Sequence, residues 1–350
     1  MSIYDVVRSV LFHFDAESVH GATLRALHLA SATGFGRLVL RNLFDLQDKC
    51  LEVQAFGQTF RNPIGMAGGY DKDGLAVVGL GCLGLGHVEV GTVTYRPQPG
   101  NPRPRIFRLP EDAALINTMG FPSQGAEAVA ARLRRLPAHP DLRVGVNLGK
   151  NKDTPLDQAA EEYRLGLKVL YPYADYLSIN ISSPNTMGLR QLQSRDYLGN
   201  LAGVLTAECA LRLQSTGRRV PLLVKLAPDM TWTEVDDALD ALLSAGVDGV
   251  IATNATTNRD GLKSPLRTLP GGLSGAPVRK MNTEFVAHVR RRVGDRLPII
   301  AAGGVFTAGD VLEKMTAGAT LVQIYTGLIY RGPSMLRDIL RGLLTAKSRA

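Results

Sequence analysis

The sequence is poor in cysteine, holds no long uninterrupted apolar run, and shows no grouping of histidines that would suit a metal ion. Its three cysteines, Cys50, Cys82 and Cys209, form no CxxC pair and no disulfide framework, which is typical of a protein in a reducing compartment. The six histidines lack metal-ligand spacing, so we expect no metal centre. No apolar run approaches the roughly 20 residues that a membrane-spanning helix requires, so none is predicted.

The chain also lacks the kind of basic segment that binds nucleic acid, although its net charge is +8. Such a surplus could favour nucleic acid, an anionic membrane or an anionic substrate. The cations stand in small groups, such as Arg103-Pro-Arg105 and Arg290-Arg-Arg292, without interleaved aromatic residues. Most of this charge therefore indicates a solvated surface, and we expect no nucleic-acid partner.

A regular alternation of strand and helix patterns begins near residue 60. Eight short apolar segments, most of them separated by helical patterns, cover residues 64–67, 87–90, 144–148, 176–180, 222–226, 250–253, 298–302 and 321–325. The length of 350 residues exceeds most single domains but suits an α/β barrel. Eight such units predict a closed (β/α)8 TIM barrel with right-handed crossovers.

The first 45 residues differ from this pattern. Apolar residues at positions 3, 6, 7, 10, 11 and 14 follow helical spacing and predict an amphipathic helix. Asp15 can cap a second helix over 17–30, and residues 37–44 can form a third. We therefore expect two units, an N-terminal helical extension over 1–45 and the barrel over 46–350. The pattern leaves open whether the apolar face packs on the barrel or lies on a membrane.

Polar side chains stand at the carboxyl ends of most predicted strands, where a TIM barrel carries its active site. These ends read Ala67-Gly-Gly-Tyr-Asp-Lys72, Gly91-Thr92, Asn147, Asn180 with Ser183 and Asn185, Lys225, Thr253-Asn254, Gly303-Gly304, and Tyr325-Thr326. Asn and Ser also favour turns, but turn formation would have to explain each end separately. The recurrence therefore predicts an active site at this face.

Two glycine patterns have different meanings. Gly79-Leu-Gly-Cys-Leu-Gly84 matches GxGxxG, but it precedes a strand instead of following one, so it predicts a tight turn and no dinucleotide site. Gly303-Gly304, the helix start at Thr307-Ala-Gly-Asp310, Tyr325-Thr-Gly327 and Gly271-Gly-Leu-Ser-Gly275 suit a phosphate group at the last two strands. They indicate a phosphorylated cofactor such as FMN, with glycine turns that bind no ligand as the alternative.

Several of these motifs, taken in order, carry a family resemblance. The most specific are Ala67-Gly-Gly-Tyr-Asp-Lys72, Gly91-Thr-Val-Thr94, Gly100-Asn-Pro-Arg-Pro-Arg-Ile-Phe-Arg108, Ile116-Asn-Thr-Met-Gly-Phe121, Gly145-Val-Asn-Leu-Gly-Lys150, Asn180-Ile-Ser-Ser-Pro-Asn185, Ile251-Ala-Thr-Asn254, Gly271-Gly-Leu-Ser-Gly275 and Leu321-Val-Gln-Ile-Tyr325. Nearly end to end, the chain resembles the class 2 dihydroorotate dehydrogenases, which are membrane-associated and quinone-dependent. Class 1 relatives have Cys where Ser183 stands and lack the N-terminal helices.

The resemblance implies that the protein oxidises (S)-dihydroorotate to orotate in de novo synthesis of UMP. Ser183 would remove the C5 proton, with Thr186 nearby in a proton relay. The hydride would pass from C6 to FMN, and a membrane quinone would reoxidise the reduced FMN. Implied substrate contacts are Lys72, Asn117, Thr118, Met119, Gly120, Phe121, Asn180, Asn185, Asn254 and Ala255. Implied FMN contacts are Gly68, Gly69, Tyr70, Asp71, Lys72, Thr92, Asn147, Asn180, Lys225, Thr253, Gly275, Gly304, Tyr325 and Thr326.

The resemblance also gives residues 1–45 a role, as a membrane-lying pair of helices above a quinone tunnel. His20, Arg108 and Tyr325 would converge there near the flavin. We expect a monomer on the cytoplasmic side of the cell inner membrane, bound peripherally to the bilayer surface. Two positions depart from the family pattern: Thr118 replaces Arg, and Ala255 replaces Thr.

Two other functions compete with this reading. An FMN barrel that reduces tRNA uridine, such as a tRNA-dihydrouridine synthase, would suit the basic charge but usually needs a Cys acid, which the Asn180–Asn185 stretch lacks. A phosphate-binding barrel without catalysis would leave Ser183 and Lys72 unexplained.

Overall fold

Three helices form the N-terminal extension of the protein, for which a computed structural model describes residues 3–139 and 141–349. They are α1 (Ile3–Leu11), α2 (Ala16–Ser31) and α3 (Gly34–Phe44). The Asp15 carboxylate accepts a hydrogen bond from the Ser18 amide at 2.8 Å, so the predicted cap is confirmed. Thr33 caps α3 in the same way, and α3 therefore begins three residues before the predicted position 37.

A short antiparallel hairpin, β1 (Val53–Ala55) and β2 (Gln58–Phe60), follows the extension and was not predicted. Phe56 and Gly57 at its tip both have positive φ, as a two-residue hairpin turn requires. Phe56 and Phe60 are buried together with Leu223 and Ile251 from barrel strands. The hairpin thus packs against the barrel interior.

Residues 3–139 and 141–349 contain eleven further strands, which are β3 (Ile64–Met66), β4 (His87–Thr94), β5 (Ile106–Leu109), β6 (Ala114–Asn117), β7 (Arg143–Gly149), β8 (Tyr176–Asn180), β9 (Leu222–Leu226), β10 (Gly249–Ala252), β11 (Gly272–Gly275), β12 (Ile299–Ala302) and β13 (Leu321–Ile324). Eight of them form a closed parallel barrel in the order β3-β4-β7-β8-β9-β10-β12-β13, and β13 pairs with β3 to close it. Each predicted strand segment supplies one barrel strand, so the (β/α)8 prediction is confirmed.

In the described part of the chain, nine further helices surround or follow the barrel strands, and they are α4 (Val77–Cys82), α5 (Ala126–Leu133), α6 (Ala159–Leu170), α7 (Arg195–Thr216), α8 (Trp232–Ala245), α9 (Arg279–Val293), α10 (Ala308–Thr316), α11 (Thr326–Arg331) and α12 (Ser334–Lys347). The GxGxxG segment begins inside α4, and its last two residues, Leu83 and Gly84, form the turn before β4, so the predicted turn is present but starts four residues later than predicted. A Cβ on Gly79 would lie 2.5 Å from the Leu27 Cγ of α2, which explains glycine inside a helix by close packing.

Strands β5, β6 and β11 form a separate antiparallel sheet with β6 in the centre. No strand was predicted between residues 90 and 144, the segment that contains β5 and β6. Asn117 on β6 lies opposite Gly272 on β11, a partner 155 positions away along the chain. Because that pairing is so distant, and the segment is rich in Pro and Arg, local patterns did not reveal the sheet.

Within the described ranges, every helix is too short or too polar to cross a bilayer. Over the same residues, acidic, histidine and cysteine side chains form no group that could ligate a metal ion.

Candidate active site

A cleft at the carboxyl ends of the barrel strands collects most of the predicted site residues. It encloses about 1040 Å³ outside protein atoms, including part of its open mouth. The predicted residues that line it are Gly68, Gly69, Lys72, Thr92, Asn117, Met119, Gly120, Phe121, Asn180, Ser183, Asn185, Lys225, Thr253, Asn254, Ala255, Gly275, Gly304, Tyr325 and Thr326. Six others lie outside its lining: His20, Tyr70, Asp71, Arg108, Thr118 and Asn147.

Ser183 and Ser182 are adjacent but differ in what their hydroxyls contact. Ser182 is fully buried, and its hydroxyl donates to the Asn180 carboxamide oxygen at 3.2 Å and accepts from Asn254 at 2.9 Å. Ser183 lines the cleft, and its hydroxyl oxygen accepts from the Asn185 amide at 3.2 Å. Thr186 is also buried, without a hydrogen bond to Ser183 in the described structure. Ser183 is therefore the serine hydroxyl of this pair that faces a ligand.

A chain of amide side chains runs behind the cleft from β4 to β10. The Thr92 hydroxyl donates to the Asn147 oxygen at 2.5 Å and accepts from Asn180 at 2.9 Å. Asn180 in turn accepts from Asn254 at 3.0 Å. Asn147 also donates to the Glu89 carboxylate at 2.7 Å and is fully buried, so it supports Thr92 and Asn180 from behind.

A second amide pair lies on the other side of the cleft. Asn185 donates to the Asn117 oxygen at 3.0 Å, and Asn117 donates to the Gly272 carbonyl at 3.4 Å. The pair joins the loop after β8 to the β5–β6–β11 sheet. Side-chain amides donate and accept at once, so they match a ligand with alternating N–H and C=O groups.

Lys72 supplies a cation to this region of the cleft. Its ammonium donates to the Gly69 carbonyl at 2.7 Å. Burial lowers the pKa of Lys72 to about 8, while the nearby Glu17 carboxylate opposes that shift. A lysine that is short of partners and poorly solvated favours an anionic ligand group.

Lys225 and Gln323 provide unpaired polar atoms on the cleft wall. Lys225 is buried, burial lowers its pKa, and its ammonium donates a hydrogen bond to no described residue. Gln323 donates to Glu89 at 2.8 Å, but its buried side-chain oxygen has no partner in the described structure. A buried polar atom without a partner is rare, so the Gln323 oxygen is available to a ligand in the cleft, as is the Lys225 ammonium.

Sequence reasoning missed Glu89 and Gln323. Both stand inside apolar strand segments and were read as part of the strands, not as site residues. The Glu89 carboxylate also accepts from the Tyr176 hydroxyl at 3.3 Å. A charged or amide residue within an otherwise apolar barrel strand was the available signal, because side chains of barrel strands alternate between interior and exterior.

Glycines shape the far side of the cleft near β11, β12 and β13. Gly275, Gly303 and Gly304 all have positive φ, and a Cβ on Gly304 would lie 2.3 Å from the Arg279 Cα. These residues must therefore be glycine, and their exposed backbone can approach a ligand closely. The Ser274 and Thr326 hydroxyls lie 2.9 Å apart beside them.

The first turn of α10 has internal partners, although the sequence suggested it for a phosphate. Thr307 and Asp310 form a capping box. The Asp310 carboxylate also accepts from the Phe306 and Thr307 amides, both at 2.9 Å. The glycine turn at Gly303-Gly304 therefore offers freer amides than the start of this helix.

His20, Tyr70 and Tyr325 form a row of rings that connects α2 with the cleft. The His20 and Tyr70 ring centroids lie 4.8 Å apart, and those of Tyr70 and Tyr325 lie 5.5 Å apart. His20 Nε2 is 2.7 Å from the Tyr70 carbonyl oxygen, and burial lowers the pKa of His20 to about 4. The imidazole is therefore neutral near pH 7.

Arg108 contacts the end of α1. Its guanidinium donates to the Phe14 carbonyl at 2.7 Å and lies 4.6 Å from the centre of the Phe12 ring. The Tyr70 ring thus contacts both His20 and Tyr325, and Arg108 holds the chain between α1 and α2.

An exposed apolar surface covers the outside of the extension, and we refer to it as the apolar face. It consists of Val6, Val7, Val10, Phe14, Leu29, Phe35, Leu38, Val39 and Leu43. Phe35 is 78% exposed and Leu29 is 71% exposed. Leu24 is buried, and Leu27, Leu40 and Phe44 pack against the main core. The helices therefore do pack on the barrel, yet they leave a large apolar surface uncovered.

Comparisons with known proteins agree with this architecture. The profile of the family described as Dihydroorotate dehydrogenase matches residues 50–346. A protein of Synechococcus sp. (strain JA-3-3Ab) named dihydroorotate dehydrogenase (quinone) is 46% identical, over 100% of this chain and 94% of its own length. A protein of the same name from Chloroflexus aurantiacus (strain ATCC 29366 / DSM 635 / J-10-fl) is 48% identical, over 97% of this chain and 95% of its own.

A crystal structure of DHODH from Eimeria tenella in complex with ferulenol has a similar fold. It superposes with a TM-score of 0.85 at 39% identity and covers 96% of this chain and 92% of that one. The ligand-free form of the Eimeria tenella protein also matches, with a TM-score of 0.85. Because the family profile spans most of the chain, and the relatives match nearly their whole length, the chain belongs to the dihydroorotate dehydrogenase family, whose members are flavin-dependent oxidoreductases.

Proposed function

We propose that the protein is a quinone-dependent dihydroorotate dehydrogenase, which oxidises (S)-dihydroorotate to orotate in pyrimidine biosynthesis. This proposal rests mainly on one observation: Ser183 and Lys72 line the same cleft, beside the Asn117–Asn185 amide pair. A substrate with a carboxylate and an imide ring needs a cation, several amide partners and a group that can take a proton. The cleft supplies all three.

FMN is the cofactor that we propose for this cleft. The unpaired Lys225 ammonium and Gln323 oxygen would face the polar edge of the flavin ring, and Thr92, Asn180 and Thr253 would bind it too. The backbone at Gly275, Gly304 and Thr326 would hold its phosphate. Gly68, Gly69, Tyr70 and Asp71 would border it, with Asn147 behind. When bound, FMN would supply the two-electron redox chemistry between the substrate and the quinone.

The residues on the substrate side of the cleft bind dihydroorotate and remove its proton. The Lys72 ammonium pairs with the substrate carboxylate, and Asn117, Asn185 and Asn254 fix the ring by hydrogen bonds. The Ser183 hydroxyl oxygen takes the proton from C5. A serine is a weak base unless its own proton has somewhere to go. Ser183 is only 6% exposed, and this burial limits proton exchange between its hydroxyl and bulk water. Met119, Gly120, Phe121 and Ala255 complete this wall, and Thr118 stays outside the lining.

Residues 1–45 form the membrane and quinone unit in this proposal, and residues 46–350 form the FMN barrel. The apolar face would rest on the bilayer surface, at the cytoplasmic side of the cell inner membrane. His20 and Tyr325, with Tyr70 between them, give a quinone a route from the helices towards the flavin, and Arg108 lies at the end of α1. The protein would act as a monomer without nucleic acid.

A tRNA-reducing flavin barrel is less consistent with the cleft. Such an enzyme uses a cysteine acid, and within the described chain no cysteine borders the cleft. Cys82 is buried in α4, and Cys50 is exposed beyond α3.

The absorbance of the purified protein tests the proposal. We expect a flavin spectrum that bleaches anaerobically with dihydroorotate and not with NADPH, and that returns when a quinone is added. Chromatography of the flavin released by heat will identify it as FMN. A flavin that NADPH reduces and dihydroorotate does not would reject the proposed substrate, and a protein without flavin would reject the cofactor.

A further inference from the structure

An ion pair between a partly exposed glutamate and a buried arginine joins the N-terminal extension to the long segment that precedes β5. Glu17, in the first turn of α2, accepts two hydrogen bonds from Arg105. The Arg105 Nε lies 2.9 Å from Glu17 Oε2, and Arg105 Nη2 lies 2.7 Å from Glu17 Oε1. The Arg105 side chain is 6% exposed, so this bidentate contact is shielded from water.

Arg105 uses its remaining nitrogen to hold the chain before β5. Its Nη1 donates to the Pro99 carbonyl and to the Asn101 carbonyl, both at 2.7 Å. One guanidinium therefore fixes α2 and both ends of a tight loop at once. A planar guanidinium with five donors can make these contacts together, whereas a lysine ammonium cannot match the geometry.

Asn101 carries the connection on to the substrate side of the cleft. Its side-chain nitrogen donates to the Thr118 carbonyl at 2.9 Å and to the Asn185 carbonyl at 3.1 Å. The Asn101 amide also donates to the Met119 carbonyl at 3.0 Å, and the Thr118 amide donates to the Arg105 carbonyl at 2.9 Å. Both segments that bear the Asn117–Asn185 pair are therefore attached to this loop.

We propose that Glu17 and Arg105 are positioning residues for the substrate: through Asn101, they fix the two chain segments that carry Asn117 and Asn185. This inference rests on the proposed function, because it assumes that the Asn pair binds dihydroorotate and orotate. It gives α2 a part in substrate binding, in addition to its proposed place above the quinone route. The extension and the substrate site are then mechanically connected.

The charge of Glu17 also favours the binding of an anionic substrate, because it helps to keep Lys72 protonated. Burial lowers the pKa of Lys72, and the Glu17 carboxylate is the largest influence that raises it. Arg105 lowers the pKa of Lys72, Asp71 and Asp73 raise it, and His20 stands on the same face of α2 as a neutral imidazole. Loss of the Glu17 charge would therefore leave Lys72 less protonated near pH 8 and weaken its attraction for a carboxylate.

Orotate titration of the oxidised holoenzyme, followed through its flavin spectrum, tests the proposal without any quinone. Glu17→Gln should raise the orotate dissociation constant by about tenfold or more, the scale of losing a hydrogen bond to a charged group. Flavin content should stay near that of the wild type, whereas Tm should fall, because the buried Arg105 charge loses its carboxylate partner. The affinity of Glu17→Gln should also begin to fall at a lower pH than that of the wild type.

Arg103→Gln is the matched control. Arg103 donates to the same Glu17 oxygen at 2.9 Å, but its side chain is 67% exposed and makes no further hydrogen bond to a described residue. Its loss should change orotate affinity by less than about twofold, as expected for a surface ion pair. An equal effect of Arg103→Gln and Glu17→Gln would mean that general charge, and not this connection, sets the affinity.

Arg105→Lys and Asn101→Ala supply independent tests if Glu17→Gln loses its flavin. Arg105→Lys keeps the charge but not the bidentate geometry, and Asn101→Ala removes the donor to Thr118 and Asn185. Each should weaken orotate binding at least as much as Glu17→Gln. Orotate affinity equal to that of the wild type in these variants would overturn the positioning role. A wild-type protein that does not bind orotate would reject the proposed function instead.

Discussion

The mouth of the barrel and the outer surface of the N-terminal helices differ in which side chains they bury and which they expose. At the mouth, polar side chains are buried and bonded to one another, as in the chain of hydrogen bonds from Thr92 to Asn254. On the helices, large apolar side chains such as Phe35 and Leu29 are exposed to solvent. The first region has its partners in place before a ligand arrives, and the second lacks a partner for its apolar surface.

This contrast separates two kinds of binding. A network of fixed amides and a few free polar atoms recognises a small polar molecule by direction. An exposed apolar surface binds a partner in proportion to the apolar area that is removed from water, without directional contacts. Such binding suits a lipid surface or a lipid-soluble molecule. Helix α2 belongs to both regions, since Leu29 lies on its outer surface and Glu17 and His20 face the barrel.

The largest expected effect concerns the polar mouth of the barrel. Ser183→Ala should keep its flavin but slow flavin reduction by dihydroorotate at least ~100-fold, the scale of losing general base catalysis. Anaerobic stopped-flow absorbance measures this rate. Ser194→Ala, an exposed serine before α7, is the control and should react at the wild-type rate. Near-normal bleaching by Ser183→Ala would exclude Ser183 as the base.

A second test concerns the apolar face of the N-terminal helices. Changing Phe35, Leu38 and Leu43 together to Gln should weaken binding to phospholipid vesicles by about 100-fold, because each such side chain gains roughly 1.5–3 kcal/mol when fully buried and a membrane covers part of it. Sedimentation with vesicles measures the binding. The same change at Leu211, Leu213 and Leu312, which are exposed on the barrel, should have little effect. If both triple variants bound vesicles equally well, the apolar face would not be the membrane contact.

A third test addresses the charge at the mouth. Lys72→Ala should weaken orotate binding by about 10- to 100-fold and FMN binding far less, because the lost ammonium pairs with the orotate carboxylate. Titration of the flavin spectrum with orotate gives the affinity. Unchanged orotate affinity would place the carboxylate elsewhere.

The smallest expected effect is the pH dependence of the same binding. Because burial lowers the pKa of Lys72 to about 8, its ammonium is charged below that pH and loses its proton above it. Orotate affinity should therefore be constant below pH 8 and fall about tenfold per pH unit above it. Lys72→Arg keeps its charge over this range and should bind orotate, if more weakly, with no such fall. A wild-type affinity that stays flat to pH 9 would contradict a lysine–carboxylate contact.

Local patterns in the sequence were enough for the barrel and for the face that carries the site. Each barrel strand is a short apolar run, and each ends in polar residues or glycine, so strand ends and cleft lining coincide at Thr92, Asn180 and Lys225. The cap at Asp15 was equally local. The resemblance, and not the pattern, supplied the roles of Ser183 and Lys72.

Features that depend on distant partners were not predictable in this way. Strand β6 is defined by its pairing with β11, and the hairpin of β1 and β2 by its packing against the barrel interior. The Glu17–Arg105 pair joins residues 88 positions apart. Glu89 and Gln323 look like strand residues until the closed barrel brings them together. The hydrogen bond of Arg108 to the Phe14 carbonyl, 94 positions away, depends on a distant partner in the same way.

The separation of the two regions can be measured directly by following the flavin through both halves of its cycle. In one experiment dihydroorotate reduces the flavin anaerobically; in the other, chemically reduced flavin meets a long-chain quinone in vesicles. Ser183→Ala should slow the first reaction alone, and the Phe35, Leu38 and Leu43 triple variant should slow the second alone. Equal slowing of both reactions by either variant would contradict a division of the chemistry between the barrel mouth and the helices.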